Sequence, residues 1–294
     1  MIIVKLSGGL GNQLFQYSFG RYLSLKYNTE LKFDIQLNTN ASDFTFRLLG
    51  LSKYNTHLLL AEIEEIKKYK FFINNFLSRI ERKFIQLFPF FNKKFIIEKT
   101  FYILDEYSLA NNCYYDGYWQ SEIYFNSIRD IIQSDLRLIE DLSFENKEIA
   151  DEIVKSNAIS LHIRRGDYIS VNSNTKIYAI CTLEYYLKAI DYFNLINKNP
   201  VFFIFSDDTE WAKNNFKKSN FKIVDINRNS PEVDLYLMSL CKHNIIANSS
   251  YSWWGAWLNT NPSKIVISPS KWFNDEEINK KAIYSLIPNN WMII

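Results

Sequence analysis

The 294-residue sequence predicts an α/β protein built as two halves, each a parallel sheet flanked by helices. Three observations carry that expectation. Short apolar runs recur along the chain, and between them stand helically spaced segments of about 10–15 residues. Glycines, serines or charged pairs stand directly behind several runs, where a strand hands over to a helix. The length also exceeds one typical domain of this class and suits two.

Residues 2–6 are a buried-strand candidate with glycines behind them. Residues 12–27 (NQLFQYSFGRYLSLKY) put Leu14, Phe15, Phe19, Tyr22 and Leu23 at helical spacing, and 31–35 (LKFDI) form a second strand. This strand–turn–helix–strand order opens a nucleotide-binding type of half. Residues 60–100 are helical or irregular without a clear period, while 121–140 and 145–155 are expected as helices. From 158 the beat is regular. Strands at 158–163, 201–205, 222–226, 244–247 and 264–268 alternate with helices at 183–196, 209–217, 232–242 (behind Pro231) and 252–258. The halves are divided at 155/156.

Composition excludes several classes. The chain is 47 % apolar and 17 % aromatic, enough for packed cores, and its eight glycines and six prolines do not describe a loop-rich secreted scaffold. A net charge of +2 excludes an overall nucleic-acid binder. Cys113, Cys181 and Cys241 share no metal-ligand or redox spacing, as a reducing cytoplasm permits. The opening MIIVKLSGGLGNQ runs straight into a strand and does not read as a signal peptide. No apolar run approaches the roughly 18–20 residues of a membrane span. A cytoplasmic protein is expected.

In parallel α/β sheets, ligands bind beyond the carboxyl ends of the strands. After Leu6 comes SGGLGNQ, whose close glycines let backbone approach a ligand at a helix start. Gly9 and Gly11, with Asp34 23 residues beyond Gly11, resemble a dinucleotide fingerprint, but Leu14 stands in place of the third glycine. A plain tight turn is the alternative. After 201–205 come Ser206, Asp207 and Asp208, either a ligand-binding acid pair or a capping box of Asp207 with Glu210. After 244–247 come Asn248, Ser249 and Ser250, hydroxyls suited to phosphate or to N-capping. Trp253, Trp254 and Trp257 behind them are core candidates, and Gly255 is expected to allow close helix–sheet packing.

The stretch LHIRRGDYIS (161–170) is the most informative. Arg164 and Arg165 leave a buried strand, cannot deprotonate, and can each fork onto a phosphate. His162 and Asp167 flank them. Of the three histidines (57, 162 and 243), only His162 has such company, and no metal-ligand constellation exists in the sequence. Arginine, rather than a divalent ion, is therefore expected to neutralise a diphosphate leaving group.

The motifs GGLGNQLFQY (8–17), GYWQSEIYF (117–125), HIRRGDY (162–168), SDD (206–208) and NSSYSWWGAWL (248–258) stand in this order. By them the chain resembles the bacterial-type α1,2-fucosyltransferases, glycosyltransferase family 11, which use GDP-fucose. The resemblance implies two Rossmann-like halves facing across a cleft (GT-B-like). Residues 1–155 would be the acceptor side, with an insertion about 60–100, and 156–294 the GDP-fucose-binding side. It implies inversion at the fucose anomeric carbon, with no metal or other cofactor. It places Arg164 on the β-phosphate with Arg165 in support, and His162 and Asp207 or Asp208 by the guanosine, with Ser206 in the same motif. Asn248, Ser249 and Ser250 approach the phosphates, and Gly9, Gly11, Asn12 and Gln13 line the cleft by fucose and acceptor.

The expected reaction is transfer of fucose to the 2-OH of a terminal galactose in surface polysaccharide, O-antigen or capsule. Asp167 is the nearest motif carboxylate for the acceptor proton or, equally, a holder of the arginines; Asp34 and Asp116 are candidates outside the motifs. The rival readings are a GDP-sugar transferase of another linkage, a dinucleotide-dependent oxidoreductase, and an inactive glycan-binding protein. Residues 67–99 hold nine Lys/Arg against Glu81 and Glu98 among nine aromatics, a balance of +7 that leaves −5 elsewhere. That island suits peripheral contact with the inner face of the plasma membrane, where a β-galactoside acceptor would be lipid-linked. The alternative is a pair of core-packed helices with a solvated basic face.

Overall fold

Strand β1 (Ile2–Lys5) is apolar and buried in its first three residues, which commits it to a sheet interior. A computed structural model describes residues 1–35, 50–73, 76–99, 101, 103–104, 108–170 and 172–294, apart from the side chains of 167, 170 and 172–174. Behind β1 the chain turns at Gly8, whose φ of +75° lies in the left-handed region. A Cβ there would also stand 2.5 Å from the Asn12 amide nitrogen, so the turn requires glycine. Helix α1 (Leu10–Tyr27) follows, then β2 (Leu31–Asp34), parallel to β1.

The next elements are α2 (Ile63–Ile66), α3 (Phe76–Leu87), β3 (Phe95–Ile97), β4 (Tyr114–Asp116) and α4 (Arg129–Asp135). All four strands are parallel, in the order β2-β1-β4-β3. Ile3, Ile66, Tyr69, Ile85, Phe95 and Tyr114 form a core beneath α2 and α3. On α1, Phe19 stacks on Trp119 with ring centroids 4.3 Å apart. Asp135 ties α4 to α1, accepting hydrogen bonds from the Tyr17 hydroxyl and Arg21 Nε, each at 2.8 Å.

The helix expected over 121–140 is broken. Two 3₁₀ turns, Glu122–Tyr124 and Asn126–Ile128, precede α4. Ser121 caps the first turn, and Phe125 leaves helical geometry (φ −131°) to bury its ring completely. Strands β3 and β4 had no alternation to reveal them, being three residues each.

The second unit begins earlier than the 155/156 division, since the chain separates into Met1–Arg137 and Leu138–Ile294. Helix α5 (Phe144–Lys155) belongs with the second unit. Asn146 and Asn227 exchange two side-chain hydrogen bonds, at 2.9 and 2.8 Å, and Glu152 pairs with Lys222. Polar positions on an exposed-looking helix concealed that docking.

After α5 come β5 (Asn157–Ile163), α6 (Gly166–Ser170), α7 (Asn172–Ile177), α8 (Leu183–Ile196), β6 (Pro200–Ser206) and α9 (Thr209–Asn215). Then follow β7 (Phe221–Val224), α10 (Pro231–Leu240), β8 (His243–Ile245), α11 (Ser250–Leu258), β9 (Val266–Ser268), α12 (Glu276–Leu286) and β10 (Met292–Ile293). The sheet is parallel throughout, ordered β10-β9-β8-β5-β6-β7. The strand order therefore reverses between β5 and β8, which makes that gap the switch point where ligands bind in such sheets.

Trp253, Trp254 and Trp257 are core, at most 1 % exposed. Gly255 serves a helix–helix contact, not the helix–sheet contact expected: a Cβ there would meet Met238 Cβ of α10 at 2.9 Å. That atom is fixed to the α10 backbone and cannot swing away. Gly255→Ala is expected to part α10 from α11 and cost about 1–3 kcal/mol, measured by urea unfolding.

Candidate active site

Three adjacent strands, β8, β5 and β6, end together, and each end carries one of the polar clusters. Ile163, the last residue of β5, lies beside Ser206 at the end of β6. Arg164 and Arg165 thus emerge next to Asp207 and Asp208. Arg164 Nη1 pairs with Asp207 Oδ2 at 2.9 Å, and Arg165 Nε with Asp208 Oδ2 at 3.3 Å. Asp207 Oδ1 also accepts the Arg165 backbone N–H at 2.8 Å. Gly166 lets this carboxylate come close, since a Cβ there would stand 3.0 Å from Asp207 Oδ2. The Arg165 guanidinium lies over the Trp211 ring, 4.3 Å from its centroid, and Arg164 lies 5.6 Å from that of Tyr168.

The two acids divide their work differently from the expected capping box. Asp208, not Asp207, is the N-cap of α9, accepting the Trp211 N–H at 3.1 Å. The Ser206 hydroxyl accepts the Asp208 N–H at 2.9 Å. Asp207 is thereby turned toward the arginines. Asp208 thus divides its carboxylate between the helix cap and Arg165, while Asp207 gives both oxygens to the arginine segment.

His162 is buried inside β5, its ring 5.3 Å from that of Tyr251, and its Nδ1 has no hydrogen-bond partner among the described residues. Burial, then the Arg164 charge, pushes its pKa down to about 3, so the imidazole is neutral near pH 7. An unfolded histidine takes up a proton near 6.5 and this folded one does not, so acid favours the unfolded chain. Stability is expected to fall as pH drops from about 6.5 toward about 3. Urea midpoints across that window check this, with a shallower slope expected for His162→Phe.

Behind β8, the Asn248 side chain is committed to the scaffold. Its Nδ2 donates to the carbonyls of Ala179 (2.7 Å) and Trp272 (3.0 Å), and its Oδ1 accepts from Cys181. Ser249 caps α11 by accepting the Tyr251 N–H at 3.3 Å, and Ser250 opens that helix, half-buried. The backbone of Asp167 lies in α6, while its side chain is outside the described residues. His162, Arg164, Arg165, Ser206, Asp207, Asp208, Asn248, Ser249 and Ser250 are therefore gathered around one switch point. Tyr168, Tyr251 and Trp211, which shape it with their rings, were passed over, although the first two stand inside the quoted motifs.

The first unit carries its own cluster at the carboxyl ends of its strands. Gly9 caps α1 and Gly11 is buried in its first turn. Gln13 Nε2 donates to the Gly8 carbonyl at 3.1 Å and its Oε1 accepts from the Gly50 N–H at 2.9 Å. Asn12 Oδ1 accepts from Gln120 Nε2 at 2.8 Å, joining two motifs. Asp34 is buried and accepts the Tyr114 hydroxyl, which suits a sheet-edge tie rather than a ribose contact. Asp116 is held by Lys5 at 3.3 Å and Arg82 at 3.1 Å.

Sequence reasoning missed Glu98, just past β3. It accepts the backbone N–H groups of Tyr118 at 2.6 Å and Trp119 at 3.0 Å, while desolvation pushes its pKa up to about 7. Its signal was hidden because the strand before it was hidden.

The whole chain, residues 1–294, matches the glycosyl transferase family 11 model. It is 37 % identical over 299 residues to an α-1,2-colitosyltransferase of Escherichia coli, covering 100 % of this chain and 99 % of that protein. It is 34 % identical over 304 residues to the O-antigen biosynthesis glycosyltransferase WbnK of Escherichia coli, covering 96 % and 98 %. Among solved structures it resembles a variant of Arabidopsis thaliana FUT1 in complex with GDP, with a TM-score of 0.51 and 9 % identity over 90 % of this chain and 69 % of that one. It also resembles the NodZ α-1,6-fucosyltransferase, with a TM-score of 0.50 and 14 % identity over 87 % and 92 %. At such identities the structural likeness concerns the fold alone, and the GT-B-type expectation of two parallel α/β sheets is met. End-to-end agreement with relatives of matching length leaves no room for the oxidoreductase reading: the chain belongs to glycosyl transferase family 11 and is a glycosyltransferase.

Proposed function

We propose that this glycosyltransferase moves L-fucose from GDP-fucose to the 2-OH of a terminal galactose, with inversion and without a metal ion. The setting is synthesis of surface polysaccharide, with a lipid-linked glycan as acceptor at the inner face of the plasma membrane. The observation that carries the reading is the pair of arginines held by Asp207 and Asp208 at the switch point. As the bond from fucose C1 to the β-phosphate oxygen lengthens, negative charge grows on that phosphate. A guanidinium has five donors, so Arg164 can keep Asp207 and also donate to the phosphate. Neutral His162 is assigned to the guanosine side, and Ser249 and Ser250 to the phosphates.

The acceptor hydroxyl attacks C1 from the opposite face and loses its proton. Asp167, the nearest motif carboxylate, is assigned that proton, and Asp167→Asn is expected to lower kcat by about 10²–10⁴. GDP release from GDP-fucose, measured with lactose in EDTA, tests the whole reading. Acceptor-dependent release in EDTA supports it, and release that requires added magnesium overturns the metal-free part.

A second donor is favoured by one observation, the 37 % identity to an enzyme named as an α-1,2-colitosyltransferase. Colitose is L-fucose without its 3-hydroxyl. The same assay run with both GDP-sugars, compared by kcat/KM, assigns the donor.

A further inference from the structure

We propose that the outer face of α3 and the turn behind it docks on an anionic lipid bilayer. An ordinary surface helix turns its apolar stripe inward. Helix α3 does the reverse. Its stripe of Phe76, Leu77, Ile80, Phe84 and Leu87 is exposed, and Glu81 and Ile85 are the buried positions. Glu81 is turned in to accept the N–H groups of Phe71 at 2.8 Å and Phe72 at 3.0 Å. The stripe continues past the helix into the 3₁₀ turn Pro89–Phe91. Phe84 lies 5.2 Å from Phe88 and 5.1 Å from Phe91, and Phe90 lies 4.5 Å from Phe91, so the rings form one connected patch. Phe76, Leu87, Phe90 and Phe91 are 63–74 % exposed, far beyond scattered single apolar residues.

Charge selects the occupant. Arg79 and Lys83 stand exposed on α3 beside the stripe, and Lys93 and Lys94 stand exposed just after the turn. The acids of the same segment are withdrawn: Glu81 is buried, and Glu98 is bound by the backbone of Tyr118 and Trp119. An aromatic patch edged by cations with its acids spent inside matches a bilayer of acidic headgroups over acyl chains. A second copy of the chain would bring like charges together around the same patch. The inference deepens the reading of the acceptor as lipid-linked, but its test needs no turnover.

The test is co-sedimentation with vesicles of phosphatidylglycerol and phosphatidylethanolamine, compared with phosphatidylcholine alone. The wild-type chain is expected to pellet with the acidic vesicles and to release as salt rises. Leu77→Gln/Phe84→Gln/Leu87→Gln and Arg79→Glu/Lys83→Glu alter exposed positions alone, so both variants are expected to fold. Each is expected to lose at least about tenfold in vesicle affinity while keeping wild-type activity on soluble lactose. Absence of wild-type binding at low salt, or variants that pellet like wild type, overturns the proposal. A wild-type dimer that the apolar variant dissociates, with no vesicle binding, assigns the face to a second copy and overturns it too. Vesicle binding by a protein inactive on every galactoside leaves the docking standing and removes the acceptor reading instead.

Discussion

Arg164→Ala is expected to lower kcat for GDP release by about 10²–10³ and leave the fold intact, as for loss of one preorganised donor to a developing anion. The side chain is partly exposed and belongs to no apolar core, so circular dichroism and urea midpoints should stay close to wild type. On the proposed reading truncation removes the charge that meets the leaving diphosphate, and it leaves Asp207 without its 2.9 Å partner. The carboxylate keeps the Arg165 backbone N–H but loses its counter-charge, which adds repulsion toward an incoming phosphate, so KM for the donor should rise as well. Arg164→Lys separates the two effects. It restores charge without the planar fork, and its activity is expected between those of alanine and wild type. Full activity of Arg164→Ala would remove the leaving-group role from this arginine.

Trp253→Ala should cost about 3–5 kcal/mol of stability. The ring is fully buried, with centroids 5.1 Å from Trp254, 6.1 Å from Trp257 and 5.4 Å from Trp291. Its indole N–H donates to the Leu286 carbonyl at 2.7 Å, which truncation would leave unsatisfied. Trp253→Phe keeps much of the volume and loses the hydrogen bond, so a smaller loss of about 1–2 kcal/mol is expected. Urea unfolding followed by tryptophan fluorescence and circular dichroism compares the two. Because Ser249 caps α11 and Ser250 opens it, the alanine variant is expected, on the proposed reading, to bind donor less tightly even where it remains folded.

Much of the second unit was legible in the sequence. Residues 183–196 are helix α8 as expected, with Thr182 capping it, and strands β5 to β9 fall within a few residues of their expected places. Apolar periodicity, turn residues and caps act over a few neighbours, so one sequence suffices to locate them. The three-residue strands of the first unit escaped for the same reason, since they are too short to show a period. Helix α3 lies in the stretch that shows no clear period, and whether its apolar residues face the core or the solvent is fixed only by packing.

The sequence by itself determined the alternation of strands and helices, and which clusters stand at strand ends. It also determined that the two cations directly behind the first strand of the second half, Arg164 and Arg165, are arginines. Only the tertiary structure decided which acid holds which arginine, because those bonds span 42 and 43 residues and depend on β5 and β6 lying side by side. It also decided that Asp208 caps α9 while Asp207 turns to the site. Glu98 was withdrawn into a backbone cradle and α3 left its aromatic stripe exposed by the same kind of choice. Burial and side-chain pairing are properties of the packed chain, and no local pattern of residues contains them.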